Sequence, residues 1–148
     1  MNDGWKKHLL TLARAVASKS KDTTKVGAVA VDENNFIKST GFNGLPIGVK
    51  DLPERLTRPE KYGWVEHAEA SLVASAARLV LEGTTVVVTH QPCDRCARLL
   101  IQAGVKEVIY ASTLTNMQAL DPGLLERSKT MFLEAGVVCE HVEEGEVQ

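Results

Sequence analysis

Two short runs constrain this chain more than anything else in it. The first is His67-Ala68-Glu69, and the second is Pro92-Cys93-Asp94-Arg95-Cys96. One imidazole and two thiols at this spacing can supply three ligands of a tetrahedral zinc. A catalytic site leaves the fourth position to water, whereas a structural site closes it with a fourth protein ligand. The parts depend on one another: ligand, carboxylate and ligand pair follow in order. Cys93 and Cys96 stand at i and i+3, so on a helical first turn their sulfurs lie on one face. A fold that satisfies both runs has to bring two helix starts to one point.

The rest of the sequence supplies the elements for this. From Trp5 to about Ser18, Leu9, Leu12, Ala13 and Val16 recur at helical spacing, which predicts an amphipathic helix covering a sheet. Val26 to Val31 reads as a buried strand. Asp32-Glu33-Asn34-Asn35 is a turn, and Phe36 to Phe42 returns as the second arm of a hairpin. Asn43 to Tyr62 is the longest irregular stretch, with Pro46, Pro53 and Pro59, and loops of this length in a compact domain are usually functional or mobile. His67 to Leu81 is predicted as one helix of small apolar residues ended by Gly83. Thr84 to Thr89 is β-branched and strand-like. Cys93 to Ala103 is helical up to Gly104, with Pro92 placed to start it, and Val105 to Ala111 is a further strand. Gly123 to Ala135 repeats the helical pattern before a last strand, Val137 to Val142. Strand–helix–strand runs of this length imply parallel pairs with right-handed crossovers. The acidic tail from Glu143 to Gln148 is expected to fray. The expectation is an α/β chain: one domain over 1–148, three layers α/β/α, a mixed five-stranded sheet and helices on both faces.

Composition removes several function classes. A net charge of −2 and a pI near 6.1 argue against a broad nucleic-acid footprint. No apolar run approaches the ~20 residues of a membrane span, and Met1 to Lys7 leads into amphipathic sequence unlike a signal peptide. Two of the three cysteines form a C-x-x-C, which suits a metal in a reducing compartment better than a disulfide framework. A cytoplasmic location is expected.

The chemistry follows from the donor set. A helix N-terminus favours thiolates, and zinc lowers the pKa of bound water toward ~7, giving a nucleophile at neutral pH. Glu69 is out of place as a fourth ligand. It is well placed to take the water's proton and deliver it to a ring nitrogen and then to a leaving amine. His67-x-Glu69 followed by Pro92-Cys93-x-x-Cys96 resembles the H-x-E…P-C-x-x-C signature of zinc-dependent nucleobase deaminases, and that resemblance implies hydrolytic deamination of an aminopyrimidine or aminopurine; in a cytosine ring the hydroxide attacks C4 and ammonia leaves. Cys139 reads as a buried small hydrophobe, His90 as a strand-end histidine near the pocket, and His8 and His141 as ordinary side chains. Tyr62 and Trp64 can either stack on a base or anchor the loop. A zinc-stabilised binding module without activity is the rival class, and the retained Glu69 argues against it.

Beyond the zinc motif, several runs resemble the deoxycytidylate (dCMP) deaminase family of the cytidine deaminase-like superfamily, from about Ser20 to Gly136. They include Ser20-Lys21-Asp22, Val26-Gly27-Ala28-Val29, Gly41-Phe42-Asn43-Gly44-Leu45-Pro46-Ile47-Gly48, Glu60-Lys61-Tyr62 and Leu100-Ile101-Gln102-Ala103-Gly104. The resemblance implies a cytidine deaminase-like fold that converts dCMP to dUMP, the precursor for thymidylate. It implies zinc on His67, Cys93 and Cys96, proton transfer by Glu69, a sugar contact by Asn43 and a backbone contact from Ala68 to the base. It also implies homo-oligomers, hexamers or smaller, with dCTP as activator and dTTP as inhibitor. The chain departs from many relatives at Ser71, where they carry Asn, and at Leu114-Thr115-Asn116-Met117, where they carry Tyr-His-Asp. Deamination of dCTP, of a 5-substituted dCMP or of another small nucleotide or nucleoside is the runner-up.

A 5′-phosphorylated substrate needs cations or free N–H groups. The turn Ser18-Lys19-Ser20-Lys21 offers two hydroxyls and two ammonium groups, so Lys19 and Lys21 are the expected phosphate ligands. The loop from Val49 to Lys61 adds Lys50, Arg55, Arg58 and Lys61, partly offset by Asp51, Glu54 and Glu60.

Overall fold

The structure is a computed structural model, and it describes residues 1–113 and 121–143. The divergent run Leu114 to Met117 and most of the acidic tail lie outside the described residues. In chain order the elements are α1 (Asp3–Ala17), β1 (Gly27–Val31), β2 (Ile37–Phe42), a 3-10 turn (Pro53–Leu56), α2 (Lys61–Trp64), α3 (Ala68–Ala74) and α4 (Arg78–Leu81). They continue with β3 (Thr85–His90), α5 (Asp94–Gln102), β4 (Glu107–Ser112), α6 (Leu124–Glu134) and β5 (Val138–His141).

The five strands form one sheet in the order β2-β1-β3-β4-β5. The predicted hairpin is there: β1 runs antiparallel to β2, with Gly27 opposite Phe42 and a register shift between Ala30 and Val31. β1 is antiparallel to β3 as well, whereas β3–β4 and β4–β5 are parallel, as their helical crossovers require. β2, β3 and β4 therefore point the same way. Their carboxyl ends and the start of β1 share one edge of the sheet, the side on which open α/β sheets bind ligands.

Side-chain alternation divides the strands between two cores. Ala28, Ala30, Val86, Val88 and Val108 pack with Leu72, Ala97, Leu100 and Phe132 beneath α3, α5 and α6. Val29, Val31, Val87 and Ile109 pack on the opposite face with Leu9, Leu10 and Ala13 of α1. Two glycines allow the helices to lie directly on the sheet. A Cβ at Gly27 would stand 2.0 Å from the Ala13 carbonyl oxygen, and one at Gly41 would stand 2.3 Å from that of Ala68. The second contact matters for function, because it seats the first turn of α3 against β2.

Two expectations need correction. The helix over His67 to Leu81 is two pieces, with a break at 75–77. Ser75 caps the first piece with its hydroxyl 2.6 Å from the Ser71 carbonyl, the local bond by which serine competes with helix continuation. Pro92 does not open α5 either. Cys93 is the capping residue and Asp94 the first helical one, so the proline shapes the approach to the helix. Among the described residues no helix is long and apolar enough to cross a membrane.

Candidate active site

Both motifs sit at helix starts on the shared edge, and each places its ligand at the capping position. His67 precedes α3 with extended backbone, φ −76° and ψ 156°. Cys93 does the same for α5, φ −72° and ψ 173°, and its Sγ accepts the Cys96 N–H at 3.5 Å. The three ligand atoms converge: His67 Nδ1 lies 3.4 Å from Cys93 Sγ and 3.3 Å from Cys96 Sγ. Zinc bonds of about 2.3 Å to sulfur and about 2.0–2.1 Å to nitrogen at tetrahedral angles put nitrogen and sulfur about 3.5 Å apart, so the set fits the ion. Among the described residues these are the one His/Cys/Asp/Glu group close enough to hold a metal, with all ligand atoms within 4.8 Å of one another.

The electrostatics of the metal-free protein point the same way. The Cys96 thiol bonded to Cys93, with His67 beside it, draws Cys93 down to about 4 against the effect of burial. Cys96, next to that thiolate and buried, is pushed well up. The bond to Cys93 raises His67, against burial. Glu69 is 4% exposed, and burial pushes its carboxyl up to about 7. Two thiols and a carboxyl in one dry corner cannot all ionise alone, and a dication among them removes the conflict.

Neighbouring bonds fix this corner. The Ser128 hydroxyl on α6, itself wholly buried, donates to the Pro92 carbonyl at 2.8 Å. Glu66 accepts the His67 N–H at 3.1 Å and pairs with Arg95 at 3.0 Å. The Glu66 backbone also exchanges two hydrogen bonds with Gly44, at 3.1 and 2.8 Å, which clamps both ends of the long loop.

A cavity opens beside the metal corner. His67, Ala68, Glu69, His90, Gln91 and Cys93 line it together with Asp22, Thr24, Arg58, Lys61 and Tyr62, and Val26, Asn43 and Val65 complete the wall. Asn43 is buried, its Oδ1 accepting from Val26 N–H and its Nδ2 donating to the Thr24 carbonyl, both at 2.8 Å. One Nδ2 hydrogen is left for a ligand. Lys61 is buried with its Nζ 2.8 Å from Asp22 Oδ1. Arg58 donates through Nε to the Tyr62 hydroxyl at 2.8 Å.

The remaining sequence candidates fall elsewhere. Lys19 and Lys21 are exposed and absent from the cavity wall: Ser20 ties their turn inward through the Asn43 carbonyl, and Lys21 turns out to pair with Asp51. Trp64 does not line the cavity; its ring lies 4.1 Å from the Arg55 guanidinium and its Nε1 donates to Glu60. His90 lines the cavity with Nδ1 2.8 Å from Thr89 Oγ1 and is not in the metal group. Sequence reasoning missed Asp22, Thr24 and Gln91. Asp22 left a trace, since Asp-Thr-Thr favours the turn in which its Oδ1 accepts the Thr24 N–H at 3.0 Å. Gln91 left none.

The family model for the cytidine and deoxycytidylate deaminase zinc-binding region matches residues 3–112. The chain belongs to this family. An uncharacterized deaminase of Aliivibrio fischeri is 39% identical over 90% of either chain. The deoxycytidylate deaminase of Homo sapiens is 38% identical over 73% of this chain, and a probable deoxycytidylate deaminase of Caenorhabditis elegans is 42% identical over 74%. Of these last two the alignments span only 65% and 59% of their own lengths. A crystal structure of the dCMP deaminase of cyanophage S-TIM5, in complex with dCMP and dUMP, superimposes with a TM-score of 0.73 at 26% identity, over 96% of this chain and 99% of that one. The mixed five-stranded sheet is the cytidine deaminase-like fold of this zinc-binding family, and His67, Cys93 and Cys96 are the described group that could hold a metal ion.

Proposed function

We propose that the chain, as a single domain over 1–148, hydrolyses dCMP to dUMP and ammonia. The observation that carries this is the cavity itself: a three-residue group that could hold zinc and a buried carboxyl share one cavity with Arg58 and a buried Lys61, and we read the first set as its metal end and the second as its anion end. A cytosine nucleotide has matching ends, a ring to be deaminated and a phosphate. The cyanophage enzyme holding dCMP and dUMP supports the same reading.

His67, Cys93 and Cys96 would hold the zinc, which when bound would make a water nucleophilic near neutral pH. Glu69 would take one proton of the attacking water to ring N3 and then the water's other proton to the amino nitrogen, which leaves as ammonia. In the metal-free protein burial raises the Glu69 carboxyl to about 7. Ala68 presents backbone to the base, and Asn43 turns its remaining amide hydrogen to the sugar. Arg58 and Tyr62 border the phosphate, and the Lys61–Asp22 pair props the loop that carries them. Homo-oligomers (hexamers or smaller), control by dCTP and dTTP, and a cytoplasmic location complete the proposal.

The test is zinc content together with the fall in absorbance on incubation with dCMP, dCTP, 5-methyl-dCMP, deoxycytidine and cytosine. About one zinc per chain and preference for dCMP are expected. A chain that binds zinc and deaminates none of them is a binding module, and one that prefers another compound has been given the wrong substrate.

A further inference from the structure

Among the described residues one buried side-chain polar atom has no hydrogen-bond partner: Nε2 of Gln91. Gln91 is 5% exposed and lines the cavity. Its backbone is not idle, for its N–H donates to the Ser112 carbonyl at 2.7 Å and extends the β3–β4 pairing by one step. The residue is thus held in place while its amide nitrogen is left over. Asn43, the other amide on the wall, makes the contrast: its oxygen and nitrogen both bond to backbone.

A buried donor without an acceptor is costly, and a leucine or methionine would fill the same space without that cost. Such a group persists where a ligand satisfies it, and the cavity narrows which part of the ligand can. Gln91 follows the end of β3 and stands just ahead of the ligand Cys93, so it belongs to the metal end. The cations that suit a phosphate are at the other end. What reaches the metal end is the base. A pyrimidine offers an acceptor oxygen at C2, and a 5-hydroxymethyl derivative offers another on C5.

We propose that Gln91 is a specificity-determining residue, its amide N–H donating to an acceptor oxygen on the pyrimidine of the bound nucleotide. The proposal rests on the nucleotide deaminase reading above. It also makes ligand-free stability and affinity move apart: removing the amide relieves the free protein and penalises the complex.

The experiment uses the zinc-loaded chain and two variants of matched volume, Gln91→Leu and Gln91→Met. Melting temperature is measured without ligand. Dissociation constants for dCMP and 5-hydroxymethyl-dCMP are measured by calorimetry in the Glu69→Gln background, where turnover does not interfere. The expected result is an unchanged or higher melting temperature with a ~10-fold weaker Kd for at least one nucleotide. Equal losses for both place the acceptor at C2, and a loss confined to the hydroxymethyl compound places it at C5. Affinities within about two-fold of the parent for both compounds overturn the proposal. So does a loss of affinity accompanied by a lower melting temperature in both variants, which would make Gln91 a packing residue. Wild-type chain that turns over neither compound refutes the underlying reading instead, and that is visible before any variant is compared.

Discussion

The two ends of the cavity are built in opposite ways. The metal end comes from two short runs, each at a helix start and each with its ligand in the capping position, so local geometry does most of the placing. The proposed anion end comes from a turn before β1 and a long loop after β2, joined by the Lys61–Asp22 pair, with the Gly44–Glu66 clamp closing the loop on itself. The first kind of site is set by spacing along the chain. The second is set by which charges happen to find partners in the fold, and those partners decide which cations remain available.

Breaking the metal end should have the largest effect. Cys93→Ala, Cys96→Ala and His67→Ala are each expected to abolish zinc retention and turnover together and to lower the melting temperature, because metal binding is coupled to folding. Metal analysis and calorimetry on the purified variants check this. Glu69→Gln comes next. It should keep zinc and an unchanged melting temperature while losing at least ~10²-fold in kcat, and a variant with near-normal kcat would remove Glu69 from proton transfer.

At the anion end, Lys61→Met should lower stability by about 3–5 kcal/mol, since it strands a buried carboxylate, and denaturant unfolding measures it. The same pair gives a pH signature. Burial raises the Asp22 carboxyl, but bonds from Lys61 and from the Thr24 N–H outweigh it and the net shift is downward. A depressed carboxyl contributes stability above its unfolded value of about 3.9 and loses it as pH falls through the lower folded value. The stability advantage of wild type over Asp22→Asn should therefore hold at neutral pH and shrink in strong acid. The smallest effects separate the cations. Arg58→Gln should raise KM for dCMP by about 10-fold with kcat nearly kept, as for a charge-assisted bond to phosphate. Neutralising Lys19 and Lys21 together should change KM by less than about three-fold, as for exposed charges off the cavity wall.

The contrast also explains what could be read from the sequence. The hairpin, the parallel pairs and the convergence of His67, Cys93 and Cys96 were legible because periodicity, glycine stops such as Gly104 and the motif spacing are local facts. The break at 75–77 was not, because a serine in an otherwise helical pattern gives only a weak signal. The phosphate candidates were chosen by counting charges, and Lys19 and Lys21 drew attention by density. Their outward direction follows from Ser20 bonding to Asn43, while Lys61 is paired with Asp22 and Arg58 bonds the neutral Tyr62 and Thr24 hydroxyls. Both depend on tertiary partners. Trp64 likewise stood near the motif in sequence but was taken up by Arg55 and Glu60.

The central claim is that the two ends read the two ends of one molecule, and the ratio of kcat/KM for dCMP to that for deoxycytidine tests it most directly. Both share the reacting base and sugar, so the metal end treats them alike and only the anion end can distinguish them. The account predicts a ratio of at least ~10² in favour of dCMP, the phosphate supplying binding energy remote from the reacting carbon. Equal values would show that the anion end reads nothing, and would contradict the account while leaving the metal site intact.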